Sequence, residues 1–222
     1  MTMQSIQNSF DLLAFLKAQN LLDNAPPLWW KNALSFEVVI GAILTQNTNW
    51  KNVEMSLDSL GALGLLGLES IVECDLIVLQ NAIIKSGFFR QKSVRLQNLA
   101  RNILSDFGNF EGFAENVTRE WLLNQKGVGK ESADSILNYA CGREIMVCDK
   151  YTQRLLGECG FEFYEYDDIA DFLMCGIVEN YDRVVALYGR EIALSAVYAR
   201  FHGKIVEYSK IHKFSKKNAK WE

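Results

Sequence analysis

A short glycine turn is the first part of this sequence that could do chemistry. Residues 122–133 read Leu-Leu-Asn-Gln-Lys-Gly-Val-Gly-Lys-Glu-Ser-Ala, which predicts two helical segments joined at Gly127-Val128-Gly129. Two glycines one residue apart allow a turn whose backbone N–H groups stay unobstructed at the start of the next helix. Such a turn can hold a phosphate oxygen with main-chain donors and the helix dipole. An ordinary turn between two helices is the alternative, and the G-x-G pattern alone does not exclude it.

The elements that must position this turn have helical rather than strand periodicity, so the sequence predicts an all-α protein. Only two prolines occur, adjacent at Pro26 and Pro27. Apolar residues at three- and four-residue spacing predict helices over residues 9–22, 34–46, 50–60, 76–85, 91–107, 118–125, 130–141, 149–158, 167–179 and 184–209.

Composition and charge describe a globular chain without an evident nucleic-acid signature. The 222 residues are 49% hydrophobic, and 23 Lys+Arg against 27 Asp+Glu give a net charge of -4, which does not favour a nucleic-acid binder. From Phe201 onward, however, six lysines against two glutamates leave a local balance of +4. This basic end is either a solvated terminus or an arm that contacts phosphates. The sequence has no export signal or membrane-length apolar run, so we expect a cytoplasmic protein.

Three segments together resemble the helix-hairpin-helix DNA glycosylase superfamily. Residues 127–133 have the form of its hairpin, G-V-G-x-x-[ST]-A, and Asp149 follows a short apolar stretch at the spacing of the family's aspartate. Residues 41–48, Gly-Ala-Ile-Leu-Thr-Gln-Asn-Thr, resemble the helix end whose glutamine, Gln46 here, fills the gap left by a flipped base.

This resemblance implies a two-lobed, all-α fold with the active-site cleft between the lobes. We expect one helical lobe from residues 1–30 and 145–222, and a central lobe from residues 31–144 that contains the hairpin at 118–142. The DNA contacts it implies come from Gln46, Gly127, Val128, Gly129 and Lys130. Because backbone N–H groups can bind a phosphate with little help from basic side chains, an acidic protein can bind DNA in this way. The hairpin carbonyls could also hold a monovalent cation.

Asp149 is the predicted catalytic residue. Cleavage of the bond between base and sugar passes through a sugar with oxocarbenium character. A carboxylate beside that sugar stabilises the positive charge and can orient or deprotonate the attacking water. Asp149 also precedes a predicted helix that begins at Lys150, so it can cap that helix, and the two roles are compatible.

Glu131 stands where relatives that also cut the DNA backbone carry a lysine nucleophile. Without that lysine no Schiff base can form there, and Lys130 is turned about 100° around the helix. We therefore predict a monofunctional glycosylase that uses water and leaves an intact abasic site. The iron–sulfur cluster of some relatives is not expected, because only Cys159 and Cys175 follow Asp149.

Three of the five tryptophans, Trp29, Trp30 and Trp50, flank the segment that contains Gln46. Aromatic rings can stack on an extruded base, and they gain a cation–π interaction if the base is alkylated on a ring nitrogen and therefore cationic. An alkylated base is also a better leaving group. The alternative is that residues 26–30 simply pack two helices together.

These tryptophans and the segment Arg200-Phe201-His202-Gly203-Lys204 resemble the bacterial type III 3-methyladenine DNA glycosylases, over nearly the whole chain. The resemblance implies that Trp29 and Trp50 stack on the base, with Trp30 and Glu131 nearby. Trp50 replaces a phenylalanine of that family. The resemblance also implies a carbamylated lysine in the pocket, for which Lys204 is the best match. The alternative is that Lys204 is an ordinary lysine of the basic C-terminal segment and is not carbamylated.

The sequence thus predicts a monofunctional DNA glycosylase that excises alkylated bases, chiefly 3-methyladenine, in base excision repair. A mismatch glycosylase acting on thymine, uracil or adenine is one alternative, in which Asn47 or Glu131 would read the edge of the base. A non-catalytic DNA-binding module is the other. We expect a monomer that binds double-stranded DNA and requires neither a cofactor nor a metal held by side chains.

Overall fold

The computed structural model describes residues 3–212 and residue 214, except for the side chain of Gln4. Regular structure in this part of the chain is entirely helical, which confirms the predicted all-α class. The α-helices are α1 (Ser9–Lys17), α2 (Phe36–Thr45), α3 (Trp50–Ala62), α4 (Leu68–Glu73), α5 (Leu76–Ala82), α6 (Phe89–Phe107), α7 (Phe110–Asn116), α8 (Arg119–Leu123), α9 (Lys130–Ser135), α10 (Lys150–Glu158), α11 (Tyr166–Val178), α12 (Tyr181–Tyr188) and α13 (Leu194–His212). Short 3₁₀-helices span Met3–Ser5 and Ile84–Ser86, and α9 continues into a π-helix over Ile136–Ala140.

The chain divides into two compact units. One unit, called the terminal unit below, comprises Met1–Lys31 and Arg143–Glu222, and the other, the central unit, comprises Asn32–Gly142. In the terminal unit, α1 packs against α11 and α13, and α10 packs against α13. In the central unit, α6 packs against α4, α5 and α7. No helix among the described residues is long and apolar enough to cross a membrane.

The core of the terminal unit explains why its helices lie together. Leu12 and Leu16 of α1, Leu155 of α10, and Phe201 and Ile205 of α13 are completely buried in one cluster. Each such side chain contributes roughly 1.5–3 kcal/mol when it leaves water. The helices that carry the site are therefore held by their apolar faces, which leaves their polar residues available for other contacts.

Two of the predicted helices in the terminal unit are shorter or broken in the structure. The helix predicted over 9–22 ends at Lys17, and Asn20 beyond it adopts a left-handed backbone with φ of 55°. The helix predicted over 184–209 is two helices, because Gly189 takes φ of 67° and ends α12. A left-handed residue cannot continue a right-handed helix, and glycine is the usual residue at this position.

Two short helices of the central unit, α4 and α7, were not predicted. They have six and seven residues, too short for a clear helical period. Local capping marks one of them, because the side chain of Asn109 accepts a 2.7 Å hydrogen bond from the backbone N–H of Gly112 at the start of α7.

The basic C-terminal segment is only partly described. Lys204 and Lys210 lie on α13. Glu207 also lies on α13, and the remaining lysines and glutamate of this predicted segment lie outside the described residues: Lys213, Lys216, Lys217, Lys220 and Glu222.

Candidate active site

Asp149 caps α10 through one of its two carboxylate oxygens. Oδ1 accepts hydrogen bonds from the backbone N–H of Thr152 at 2.9 Å and from the Thr152 hydroxyl at 3.1 Å. The backbone N–H of Asp149 lies 3.3 Å from the same hydroxyl, which completes a capping box. The helix-capping role considered from the sequence is therefore present, and it fixes the orientation of the carboxylate.

The other oxygen of Asp149 faces a histidine of α13. Oδ2 lies 3.5 Å from Nε2 of His202, which is the long end of hydrogen-bonding distance. The side chains of Asp149 and His202 are 16% and 8% exposed. The packing of α10 on α13 thus brings a carboxylate and an imidazole together in a largely dry environment.

The pKa of Asp149 is lower than that of an ordinary aspartate. Burial by itself would raise this pKa, but hydrogen bonding and charge interaction with His202 lower it, as do the bonds from the backbone and hydroxyl of Thr152. The lowering interactions prevail. Asp149 is therefore a carboxylate at neutral pH, the form that can stabilise a cation or accept a proton.

Trp29 also contacts His202. The two rings meet edge to face, with centroids 5.4 Å apart and an interplanar angle of 83°. Trp29 has a left-handed backbone with φ of 65°, unusual for a large aromatic residue. Gly203 makes room for the indole, because a Cβ on Gly203 would lie 2.5 Å from Cγ of Trp29. The structure thus brings together Trp29, Asp149 and His202 within the terminal unit.

Arg200 anchors the segment that leads to Trp29. Its Nη1 donates to the carbonyl oxygens of Pro26 at 3.1 Å and Pro27 at 3.4 Å, and its Nη2 donates to that of Leu22 at 2.9 Å. The backbone N–H of Trp29 donates to the Pro26 carbonyl at 2.8 Å. These bonds fix the proline segment to α13, which also carries His202 and Gly203.

Trp30 and Lys204 are both buried in the structure. Trp30 is 8% exposed, which favours the packing role raised as its alternative. Lys204 is 4% exposed, unlike Lys210 further along α13, which is exposed. Burial, together with the charges of Arg200 and Lys17, lowers the pKa of Lys204 to about 8. Lys204 is therefore distinct in environment from a solvated basic terminus.

The central unit contains the predicted hairpin, with α8 and α9 on either side of the glycine turn. Gly127 has φ of 86°, and Gly129 precedes α9 as its N-cap. The backbone N–H of Val128 donates to the Gln125 carbonyl at 3.1 Å and closes the turn. Glycine is required at 127, where a larger residue would be strained.

An ion pair joins the two helices of the hairpin. Nε of Arg119 on α8 donates to Oδ1 of Asp134 on α9 at 2.7 Å, and Nη2 donates to Oδ2 at 3.1 Å. Asp134 is completely buried. A two-pronged contact of this kind sets the angle between the helices as well as their separation.

Gln46 lies beside the hairpin. Its Nε2 donates to the carbonyl oxygen of Gly127 at 2.9 Å and to Oγ of Ser132 at 3.0 Å. The glutamine expected to fill the duplex and the turn expected to hold a phosphate are therefore neighbours in the central unit, although they come from distant parts of the sequence.

Sequence reasoning missed two residues of these sites. His202 was noted only as a neighbour of Lys204, and nothing in the local sequence indicates its contact with Asp149. Arg95 of α6 was missed entirely. Its side chain covers Gly127, because a Cβ on that glycine would lie 2.6 Å from Cδ and Nε of Arg95. Arg95 thus supplies a positive charge beside the hairpin.

The remaining predicted site residues also lie in the central unit. Trp50 is the first residue of α3 and is half-buried, whereas Glu131 is exposed in the first turn of α9, next to Lys130. Among the described residues, no group of three or more histidines, cysteines, aspartates or glutamates could hold a metal ion.

Comparison with known proteins places this chain in a family. Residues 40–169 match the model of the HhH-GPD superfamily, described as base excision DNA repair proteins. A protein of Methanocaldococcus jannaschii named "Putative DNA repair glycosylase" is 37% identical over 198 residues, covering 86% of this chain and 83% of the relative. This chain therefore belongs to the HhH-GPD superfamily of base excision DNA repair proteins.

Solved structures agree with this membership. A 3-methyladenine DNA glycosylase of Helicobacter pylori, crystallised with 1,N6-ethenoadenine, is 47% identical, with a TM-score of 0.90 and coverage of 94% of this chain and 100% of that chain. A thermostable thymine-DNA glycosylase has a TM-score of 0.66 at 15% identity, over 95% of this chain and 90% of that one, and shows the fold alone. These findings confirm the resemblance predicted from the sequence and support DNA glycosylase activity.

Proposed function

We propose that this protein is a monofunctional glycosylase that excises alkylated bases, chiefly 3-methyladenine, from double-stranded DNA by hydrolysis. The observation that carries the proposal is the Asp149 carboxylate, ionised and fixed beside His202, whose ring also meets Trp29. Substantial identity to the 3-methyladenine DNA glycosylase of H. pylori supports this choice of base.

Asp149 acts on the sugar as the bond to the base breaks. Its negative charge stabilises the oxocarbenium character of the sugar, and the carboxylate orients or deprotonates the attacking water. The hydrogen bonds from Thr152 hold Oδ1 in place, so the carboxylate is oriented before the reaction begins. His202 contributes by keeping the pKa of Asp149 low, and thereby keeping the carboxylate charged.

The flipped base is stacked by aromatic rings. Trp29 is the candidate in the terminal unit, because Gly203 and Arg200 hold its segment on α13, where its ring meets His202, the neighbour of the catalytic carboxylate. Trp50 remains the second predicted stacking residue and Glu131 a predicted pocket residue. A cationic, alkylated base gains more from such rings than a neutral one.

Lys204 is proposed to carry the carbamate that the family resemblance implies. Carbamylation requires the neutral amine, and a pKa of about 8 gives a larger neutral fraction at physiological pH than an ordinary lysine has. No other cofactor or iron–sulfur cluster is expected.

DNA is held by the hairpin. We assign the phosphate contact to the N–H groups of Gly127 and Gly129 in the turn that precedes α9, since Val128 donates within the turn. Lys130 and Arg95 add positive charge, and Gln46 reaches the duplex from its place beside the hairpin. The monovalent cation at the hairpin, a monomeric state and a cytoplasmic location remain predictions.

A base-release assay tests the proposal. Wild-type protein should free 3-methyladenine from methylated duplex DNA, and should free no base from duplexes that carry thymine, uracil or adenine mismatches. Release from the mismatched duplexes alone would overturn the specificity in favour of a mismatch enzyme. Binding without release from any substrate would indicate a non-catalytic module.

Borohydride treatment tests the absence of lyase chemistry. Because Glu131 replaces the lysine nucleophile, reduction during turnover should trap no covalent enzyme–DNA adduct. A trapped adduct would contradict the monofunctional mechanism, whatever the base released.

A further inference from the structure

Lys92, near the start of α6, is a buried lysine that the proposed chemistry does not use. It is 2% exposed. Its Nζ donates to the carbonyl oxygens of Leu44 at 2.7 Å and Ser86 at 2.8 Å, and to Oγ1 of Thr48 at 2.7 Å. An ammonium group has three hydrogen-bond donors, so each of them is used.

The three acceptors surround the turn that follows α2. Leu44 lies in the last turn of that helix, where carbonyl groups have no partner within the helix. Thr48 closes the turn, since its backbone N–H donates to the Thr45 carbonyl at 3.0 Å and its hydroxyl also contacts the Ser86 carbonyl. Lys92 therefore joins the two ends of the 44–48 turn to the 3₁₀-helix at Ile84–Ser86.

Gln46 lies in the middle of this turn, and its side-chain amide donates a hydrogen bond to the Gly127 carbonyl of the hairpin. Asn47, next to it, has a left-handed backbone with φ of 51°, so the turn is not held by helical geometry. Contacts from outside therefore help to fix its shape. Lys92 supplies two of them, to Leu44 and Thr48 at the two ends of the turn, and its third bond ties both to Ser86.

We infer that Lys92 is a positioning residue for DNA engagement, because its ammonium holds the 44–48 turn in the conformation that places the Gln46 amide on the Gly127 carbonyl. The inference rests on the proposed function, in which Gln46 and the hairpin both contact DNA. Lys92 touches neither DNA nor the reacting atoms. It acts through Gln46.

The energetics favour a specific role over general stability. Burial, followed by the charge of Arg95, lowers the pKa of Lys92 to about 8, which shows that the charged form is disfavoured by its surroundings. A packed apolar side chain would be at least as stabilising in many buried positions. It could not, however, satisfy the carbonyls of Leu44 and Ser86 together, and those groups determine the path of the turn.

A double-mutant cycle tests the inference. Lys92→Met keeps most of the side-chain volume and removes the ammonium, and Gln46→Ala removes the amide. We expect Lys92→Met to lower kcat/KM for base release from methylated duplex by about tenfold in the wild-type background, and by less than about twofold in the Gln46→Ala background. Lys92→Arg should recover part of the loss, because it keeps the charge and donors.

Lys85→Met is the matched control. Lys85 is an exposed lysine on the neighbouring 3₁₀-helix, so its replacement removes the same charge without touching the turn. Any effect of Lys85→Met should be the same in the wild-type and Gln46→Ala backgrounds. Equal effects of Lys92→Met in both backgrounds would overturn the inference, because a purely structural lysine acts independently of Gln46.

Two further measurements keep the test decisive. If Lys92→Met does not fold, Thr48→Val replaces it in the cycle, since it removes one of the three acceptors at nearly constant volume. The cycle is also run on the dissociation constant for duplex DNA containing a stable abasic-site analogue, which requires no catalysis. Coupling in binding without base release would preserve the inference while the proposed function fails, and additivity in both readouts would refute the inference alone.

Discussion

The two oxygens of Asp149 have different partners: Oδ1 accepts from the backbone of Thr152 at 2.9 Å, and Oδ2 lies 3.5 Å from Nε2 of His202. One side chain therefore caps the start of a helix and also forms the charged centre of the candidate site. Its position is fixed by the start of α10, and its charge is maintained by a residue of α13.

Replacing Asp149 with asparagine should separate these two roles. Asparagine is as good an N-cap as aspartate, so Asp149→Asn keeps the contribution of the cap to the free energy of unfolding. Asp149→Ala removes the cap and should lower that free energy by about 1 kcal/mol. Both variants should slow base release by about 10²-fold or more, because neither has the carboxylate. Single-turnover excision and urea unfolding measure the two effects, and a fully active Asp149→Asn protein would refute the mechanism.

The lowered pKa of Asp149 predicts a specific dependence of stability on acid. A carboxyl whose pKa is lower in the folded than in the unfolded state stabilises the folded protein at any pH above the pKa that it has in the unfolded chain, about 3.9 for aspartate. This stabilisation is lost as the pH falls through the lower pKa of the folded protein. From pH 5 to 2, the free energy of unfolding should therefore fall more steeply for wild type than for Asp149→Asn. Parallel curves would show that the folded protein does not lower this pKa.

Gly203→Ala should displace Trp29 while leaving the helix intact. The new Cβ would lie 2.5 Å from Cγ of the indole, so the ring must move away from residue 203 and out of its present position. Loss of the stacking surface should lower kcat/KM for methylated DNA by about tenfold, at the scale of one base–aromatic stack. Gly61→Ala is the control, because its Cβ would meet only the flexible end of Leu66 at 3.3 Å, and it should be fully active.

The two hairpin glycines should respond differently to alanine. Gly127→Ala puts a Cβ on a left-handed residue, 2.6 Å from the Arg95 side chain, and should both destabilise the protein and weaken DNA binding. Gly129 has an ordinary φ of -97° with open space around it, so Gly129→Ala should lower the melting temperature much less than Gly127→Ala, by no more than the loss of a glycine N-cap. If its Cβ obstructs a bound phosphate, the dissociation constant for duplex DNA should still rise. Equal melting temperatures for both variants would contradict the strained turn.

Carbamylation of Lys204 should be visible by mass. Intact protein at pH 8 with bicarbonate should be heavier by one carbon dioxide adduct than the same protein after acidification, and Lys204→Met should lack the adduct. Lys210→Met, which changes an exposed lysine of the same helix, should keep it. An adduct that persists in Lys204→Met would place the modification elsewhere.

Features that are formed by residues close together in the sequence could be predicted from the sequence alone. The glycine turn, the capping aspartate and most helices are of this kind, because hydrogen bonds within a few residues determine them. Helix ends were less predictable: the apolar period of 184–209 continues across Gly189, and only its left-handed backbone shows where α12 stops.

Contacts between distant residues could not be found in this way. The sequence by itself determined the all-α class, the glycine turn between two helices and the position of Asp149 just before α10. Only the tertiary structure decided that His202 faces Asp149, that Gly203 makes room for Trp29, and that Arg95 covers Gly127. The reason is that burial of apolar faces drives helix packing, and the packing determines which polar side chains meet. The spacing of apolar residues along the sequence does not predict those contacts.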